Sequence, residues 1–283
     1  MHTTGKTEDL DNGSRTDAPA GARPLWRELL GLLLPTACAG CDRPGAPLCR
    51  DCAAALTART PRPVRPTPAP RGLPPVHAAV PYADEPRRLL LAHKERGARS
   101  LAAPLGAALA RVVRAGLEVP QDTPAPPQPP CVLLIPVPSS ASSRAARGHD
   151  PTLRLAEGAA AVLRRAGLPA RVLPALRHAR PVADQAALRA AERHANLSGA
   201  LALSPAAHHL LTAPSPRSPS TDPRSHLRLV LIDDLMTTGA TLTEAARSLR
   251  RATCLPLAAA VVAAPRVAFE EEWELTGNLR FRW

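Results

Sequence analysis

Leu229, Val230, Leu231 and Ile232 are apolar without alternation and run directly into two adjacent acids, Asp233 and Asp234. A short run with no polar face suits a strand buried on both sides, the environment of a parallel sheet covered by helices. A turn of small residues follows, from Thr237 and Thr238 through Gly239 and Ala240 to Thr241, and then Leu242, Ala245, Ala246 and Leu249 recur at helical spacing. The chain is therefore constrained to a strand, loop and helix in series. Such units build α/β layers that take their ligands at the carboxyl ends of the strands.

A loop between a strand end and a helix start presents unpaired backbone N–H groups, reinforced by the positive end of the helix and, here, by threonine hydroxyls. This is an anion site, and a phosphate fits it. Gly239 lets the backbone approach the anion or take a positive φ. Two ionised carboxylates beside a phosphate repel it, so Asp233 and Asp234 are expected to accept hydrogen bonds from a vicinal diol, with Mg²⁺ nearby to balance charge. A ribose 5-phosphate satisfies all of these elements. The plainer alternative is that the acids merely end a strand and that Thr241 and Glu244 form a capping box.

The string resembles the phosphoribosyl pyrophosphate (PRPP) loop of type I phosphoribosyltransferases. That resemblance implies that Asp233 and Asp234 hold the ribose hydroxyls and that Thr237, Thr238, Gly239, Ala240 and Thr241 hold the 5-phosphate. Hypoxanthine-type members carry an Asp facing the purine where this chain has Thr237, which argues against purine salvage of that kind.

Cys38 and Cys41, then Cys49 and Cys52, form two C-x₂-C knuckles. Together they supply four thiolates for a tetrahedral ion, Zn²⁺ by preference. Arg43 and Arg50 can offset the charge of such a centre, and Gly40 and Gly45 permit the tight turns it needs. Disulfides and an iron–sulfur cluster are the alternatives, the first disfavoured in a cytoplasmic chain. Cys131 and Cys254 stand alone and read as small buried apolar residues, and His208 and His209 as part of a solvated loop.

Residues 1–24 are polar and aperiodic, so disorder is expected there. Leu25, Leu29, Leu32 and Leu33 make one helical face, and with the cysteine module they occupy residues 25–56. Residues 57–75 are rich in proline and arginine and read as a semi-rigid linker between two bodies. The main α/β domain is expected over residues 76–265, with strands at 76–82, 131–137, 170–174, 198–203 and 256–263. Helices are expected at 84–93, 100–116 and 151–166, the last capped by Asp150, with a disordered insertion at 204–226 and a C-terminal extension at 266–283. Arg27 and Glu28 interrupt the apolar run at residues 25–34, its uninterrupted part, Leu29 to Leu34, is shorter than the apolar region of a signal peptide and follows a long polar lead, and no stretch approaches a membrane span. The expected compartment is the cytoplasm.

The net charge of +12 is almost entirely arginine, since Lys6 and Lys94 are the only lysines among 36 basic residues. With 2% aromatic residues and the charge spread along the chain, the interleaved basic and aromatic stripe of a nucleic-acid binder is absent from the sequence. Further segments resemble the ComF family, which joins an N-terminal zinc module to a phosphoribosyltransferase-like domain. Ile135-Pro136-Val137-Pro138 with Arg144, Arg147 and Gly148 is similar to the segment that includes its pyrophosphate loop. Asp184-Gln185, Leu188, Arg193, Asn196 and Gly199 are similar to a second segment, and Lys94 stands where members often have lysine. The family implies that Arg147 and Gly148 contact pyrophosphate, although His149-Asp150-Pro151 departs from its usual continuation, and surface solvation remains the alternative for any one arginine. Arg177, Arg180 and Arg193 are second-rank candidates for closing over the site, and Gln185 and Asn196 could equally fix a loop.

The resemblance implies transfer of ribose 5-phosphate from Mg²⁺-bound PRPP to an acceptor that the sequence does not identify. No protein nucleophile is required, so no catalytic residue is assigned. The alternative is a non-catalytic role in DNA uptake, with single-stranded DNA or a helicase as partner and PRPP as a regulatory ligand or absent.

Overall fold

The computed structural model describes residues 37–117, 131–140, 144–145, 148–180, 197–212, 227–253 and 257–269. The leucine face at 25–34, Arg147, Asp184, Gln185, Leu188, Arg193, Asn196 and Cys254 lie outside the described residues.

Eight strands and six α-helices can be named in chain order among the described residues. These are α1 (Arg50–Ala55), β1 (Arg62–Val64), β2 (Val76–Pro81), α2 (Asp84–Lys94), α3 (Ala102–Leu117), β3 (Cys131–Pro136), α4 (Pro151–Arg165) and β4 (Ala170–Val172). There follow β5 (Leu176–His178), β6 (Leu201–Leu203), α5 (Pro205–Thr212), β7 (Leu227–Leu235), α6 (Ala240–Arg250) and β8 (Leu257–Ala264). A six-stranded sheet has the order β1-β2-β8-β7-β3-β4. Only β1 is antiparallel within it. The mixed α/β class with a mostly parallel sheet is the one the apolar run implied.

Alternation along the strands divides the core in two. Val132, Leu134, Val230, Ile232, Ala260 and Val262 pack with α2, α3 and α4 on one face. Leu133, Ile135, Leu229, Leu231, Ala259 and Val261 pack with α6 and the β5–β6 pair on the other. Helix α4 starts as expected: Asp150 accepts from the N–H groups of Thr152 and Leu153, and Pro151 opens the helix. The span Arg99–Leu117 is long and apolar enough to cross a membrane by length and composition, but half of it is buried inside the protein. It packs against α4, β2 and β8 as a core helix.

Three stretches differ from the sequence expectation. Residues 57–75 do not stand apart as a linker, because Arg62–Val64 pairs with β2 and the Arg65 N–H donates to the Ala268 carbonyl. Proline is tolerated there because β1 is an edge strand, where a missing N–H leaves no ladder bond unmade. The cysteine module is not a separate body either: Cys38, Cys52 and Leu56 share one core cluster with Leu89 and Leu105. Finally, the expected disordered insertion begins with α5, where Pro205 follows a serine cap (the Ala207 N–H donates to Ser204 Oγ, 3.3 Å) and Ala207 and Leu211 are buried. The Ser-Pro start and the i, i+4 apolar pair are the local signal for this helix, set in a stretch whose composition is otherwise rich in proline and serine. Residues 213–226 lie outside the described residues, as do 270–283.

Candidate functional site

Strands β3 and β7 are adjacent and parallel, with Pro136 opposite Ile232. From β3 the chain proceeds to β4 on one side, and from β7 to β8 on the other. The loops after β3 and β7 therefore leave the sheet at the point where strand order reverses, the crevice where open α/β sheets bind ligands. Val137 fixes the first loop by donating its N–H to the Ile232 carbonyl (2.9 Å).

Asp233 and Asp234 lie two residues and one residue before the end of β7 and, by alternation, on opposite sides of the sheet. Asp233 is half-buried and accepts from the Asp234 N–H (2.9 Å). Asp234 is 4% exposed and faces α2, whose last residue, Lys94, places Nζ 3.1 Å from Oδ1 and 3.0 Å from Oδ2. Burial and the neighbouring Asp234 push the Asp233 carboxyl well above the ordinary carboxylate range. Burial alone would raise Asp234 as well, but the charge and hydrogen bond of Lys94 outweigh it and hold that carboxyl low. The attraction of Asp234 in turn raises Lys94.

Met236 is buried and donates its N–H to the Ala263 carbonyl, pinning the start of the loop. Thr237 is exposed, Thr238 and Thr241 are half-buried, and Ala240 is buried. Gly239 takes φ +74° as the N-cap of α6, with no side-chain cap. The first turn of α6 thus begins at Ala240 and leaves N–H groups with no intrahelical acceptor. The capping-box alternative is not realised. The Glu244 carboxylate instead accepts from the Leu201 N–H (3.1 Å) and from Arg247 Nε and a terminal guanidinium nitrogen, each at 2.6 Å. Burial favours a neutral Glu244, yet these donors hold its carboxyl below the ordinary range. Ser248 Oγ also donates to the Leu201 carbonyl (2.6 Å), so α6 carries β6, and with it β5, beside the loop.

A Cβ at Gly239 would lie 3.0 Å from Leu73 Cδ1 and 3.4 Å from Pro66 Cγ. The proline-rich stretch is therefore packed on the glycine of this loop, a neighbour that the sequence gives no means of foreseeing. Gly239→Val combines that crowding with a β-branched residue at positive φ, and is expected to cost about 2–3 kcal/mol. Thermal denaturation followed by circular dichroism should show a lowered midpoint.

After β3, Ser139 donates both N–H and Oγ to the Asp150 carboxylate, each at 3.2 Å, so the residue that caps α4 also closes the loop. Gly148 sits at φ +69° and its N–H donates to the Arg144 carbonyl (2.8 Å). Arg144 and Gly148 are exposed, and no contact of either with the acid pair is present among the described residues. His178 Nε2 donates to the Pro138 carbonyl (3.1 Å) from β5. Arg180 donates to the Ser198 carbonyl (2.9 Å), bracing the base of the β5–β6 pair. His208 and His209 are exposed, as expected of solvated residues, but on α5 and not in a loop.

The four module cysteines offer their sulfurs within 4.8 Å of one another. Cys41 and Cys49 Sγ are 3.6 Å apart, far beyond a disulfide bond and near the roughly 3.8 Å edge of a tetrahedron with 2.3 Å metal–sulfur bonds. The Cys49 N–H points at Cys38 Sγ (3.3 Å) and the Cys52 N–H at Cys49 Sγ (3.5 Å). Burial raises the Cys38 thiol, but backbone N–H groups of Cys49, Gly40 and Cys41 outweigh it and hold it at about 6. Burial and the neighbouring sulfurs push Cys52 upward. The four sulfurs lie close enough together to hold a metal ion such as zinc.

No protein-family model matches this sequence, and comparison with curated proteins finds no match.

Proposed function

We propose that the crevice between the β3 and β7 loops binds PRPP, and that the chain is a ComF-type, phosphoribosyltransferase-like protein transferring ribose 5-phosphate to an acceptor with release of pyrophosphate. One observation carries this reading above the others: the acid pair and the left-handed Gly239 opening α6 lie together at the switch point of a parallel sheet. The diol is assigned to Asp233 and Asp234, and the 5-phosphate to Thr237, Thr238, Gly239, Ala240 and Thr241. Pyrophosphate is assigned to the segment containing Arg147 and Gly148.

Mg²⁺ bound with PRPP supplies charge to the leaving pyrophosphate. In the transfer, the bond from C1′ to the pyrophosphate oxygen breaks, pyrophosphate keeps the electron pair, and the acceptor's nucleophilic atom bonds to C1′ and releases its proton. The residues named contribute by positioning and by electrostatics, which suffice for such a step. Zn²⁺ on Cys38, Cys41, Cys49 and Cys52 supplies folding energy to the module.

Titration calorimetry with PRPP and Mg²⁺ tests the reading. Wild-type protein should bind, and Asp233→Asn with Asp234→Asn should weaken binding at least ~30-fold, since both carboxyl groups assigned to the diol are replaced by amides. Absence of binding by the wild type overturns the proposal.

A further inference from the structure

We propose that Lys94 is the built-in counter-cation of the acid pair, so that the site takes a 5-phosphorylated pentose without a divalent cation at the ribose. The inference rests on the ribose-phosphate reading above and goes beyond it, because it fixes the charge the ligand meets.

Both oxygens of Asp234 lie within 3.1 Å of Lys94 Nζ. The Asp234 side chain is only 5% exposed, whereas that of Lys94 is 40% exposed. A carboxylate so deeply placed is costly without a partner, and this one is neutralised by a single fixed ammonium. The ammonium belongs to the fold: Lys94 ends α2, where a cation also complements the negative end of the helix dipole. The helix is held further by His93, whose ring nitrogens lie 3.4 Å from the Ala98 carbonyl and 3.3 Å from the Pro151 carbonyl.

Asp234 and Lys94 sum to zero, so the three side chains together carry at most the one negative charge of Asp233. The burial that disfavours an ionised Asp233 lowers even that. A phosphate docking on the adjacent loop thus faces one acid at most where the sequence displays two. Composition points the same way. All but two of the 36 basic residues are arginine, yet the position against Asp234 holds a lysine, whose compact ammonium fits beside a buried carboxylate with less volume than a guanidinium.

Calorimetry with ribose 5-phosphate as the probe, which has no pyrophosphate to recruit magnesium, tests the proposal in magnesium-free buffer and again with Mg²⁺ added. Wild-type affinity should be the same in both. Lys94→Met should bind at least about tenfold more weakly without magnesium and recover when it is added. The doubly neutral Lys94→Met/Asp234→Asn variant has the wild-type charge sum. It leaves no carboxylate buried alone and should bind independently of magnesium, though more weakly than wild type. Wild-type binding that requires magnesium, or a double variant that requires it, overturns the counter-cation role while leaving the ribose-phosphate site standing. Failure of the wild type to bind in either buffer removes the site itself.

Discussion

Gly106→Leu is expected to abolish the native packing of the protein, although Gly106 is assigned no part in the site. Helices α3 and α4 make the closest helix pair among the described residues, and a Cβ at Gly106 would lie 2.9 Å from the backbone C and Cα of Gly158 and 3.0 Å from the Ala159 nitrogen. These atoms are main chain and cannot rotate away, so any side chain must push the helices apart. Leu105, Ala108 and Leu109 beside it are fully buried, so separation opens the core on both sides of the contact. In an exposed helix Gly→Ala would stabilise by about 0.5–1 kcal/mol. Here, overpacking of about 1–3 kcal/mol opposes it, so Gly106→Ala should be net destabilising and Gly106→Leu much more so. Gly158→Ala, whose Cβ would meet the Ala102 carbonyl oxygen at 3.1 Å, should fall between wild type and Gly106→Ala. Urea denaturation checks the order, and a Gly106→Ala variant more stable than wild type would falsify the close approach.

A helix contact of that kind leaves no periodic mark in a sequence. The apolar run at 229–232 marked a strand buried on both faces, because burial from both sides removes the polar alternation, and helix α4 was legible from Asp150 and Pro151. Gly106 and Gly158 carried no such mark: a glycine within a helical pattern does not announce which backbone it lies against. Similarly, β1 and β5 are three residues each, too short for any period to register. β1 was further concealed by Pro63, which an edge strand accepts and a proline-rich linker would also contain.

The site divides along the same line. The loop residues Thr237–Thr241 and the acid pair are contiguous, so their placement together between β7 and α6 was legible locally. Lys94 lies 140 residues from Asp234; alternation along β7 turns Asp234 toward α2, and only the sheet order brings that helix to it. The packing of Leu73 and Pro66 on Gly239 is likewise a product of topology. Glu244 was legible as an acid in the first turns of α6, but its true partners, Arg247 and the Leu201 N–H, replaced the local capping box with a tertiary bond. A grouping of neighbours in sequence is legible in the sequence, and a contact that depends on which strands adjoin is not.

Removing the metal from the cysteine module is the second change with a large expected effect, and its consequences should not stay within the module. Protein purified without chelator is expected to carry one equivalent of zinc by elemental analysis. Cys52→Ser, or treatment with a strong chelator, should release it and lower the thermal midpoint markedly, since metal binding is folding energy in a module with so little core of its own. Cys52 is 2% exposed and Cys38 fully buried, both in the cluster that holds Leu89 of α2. Arg88 on the same helix donates to the Gly40 carbonyl (3.3 Å) and meets the Asp42 carboxylate at 3.4 Å. Helix α2 therefore has the module against its middle and Lys94 at its end. Loosening the first should free the second, leave Asp234 buried without its cation, and weaken ribose 5-phosphate binding in magnesium-free buffer more than in magnesium. Stoichiometric zinc whose removal changes neither the midpoint nor that binding would mean that the module only decorates the α/β body, despite the core they share.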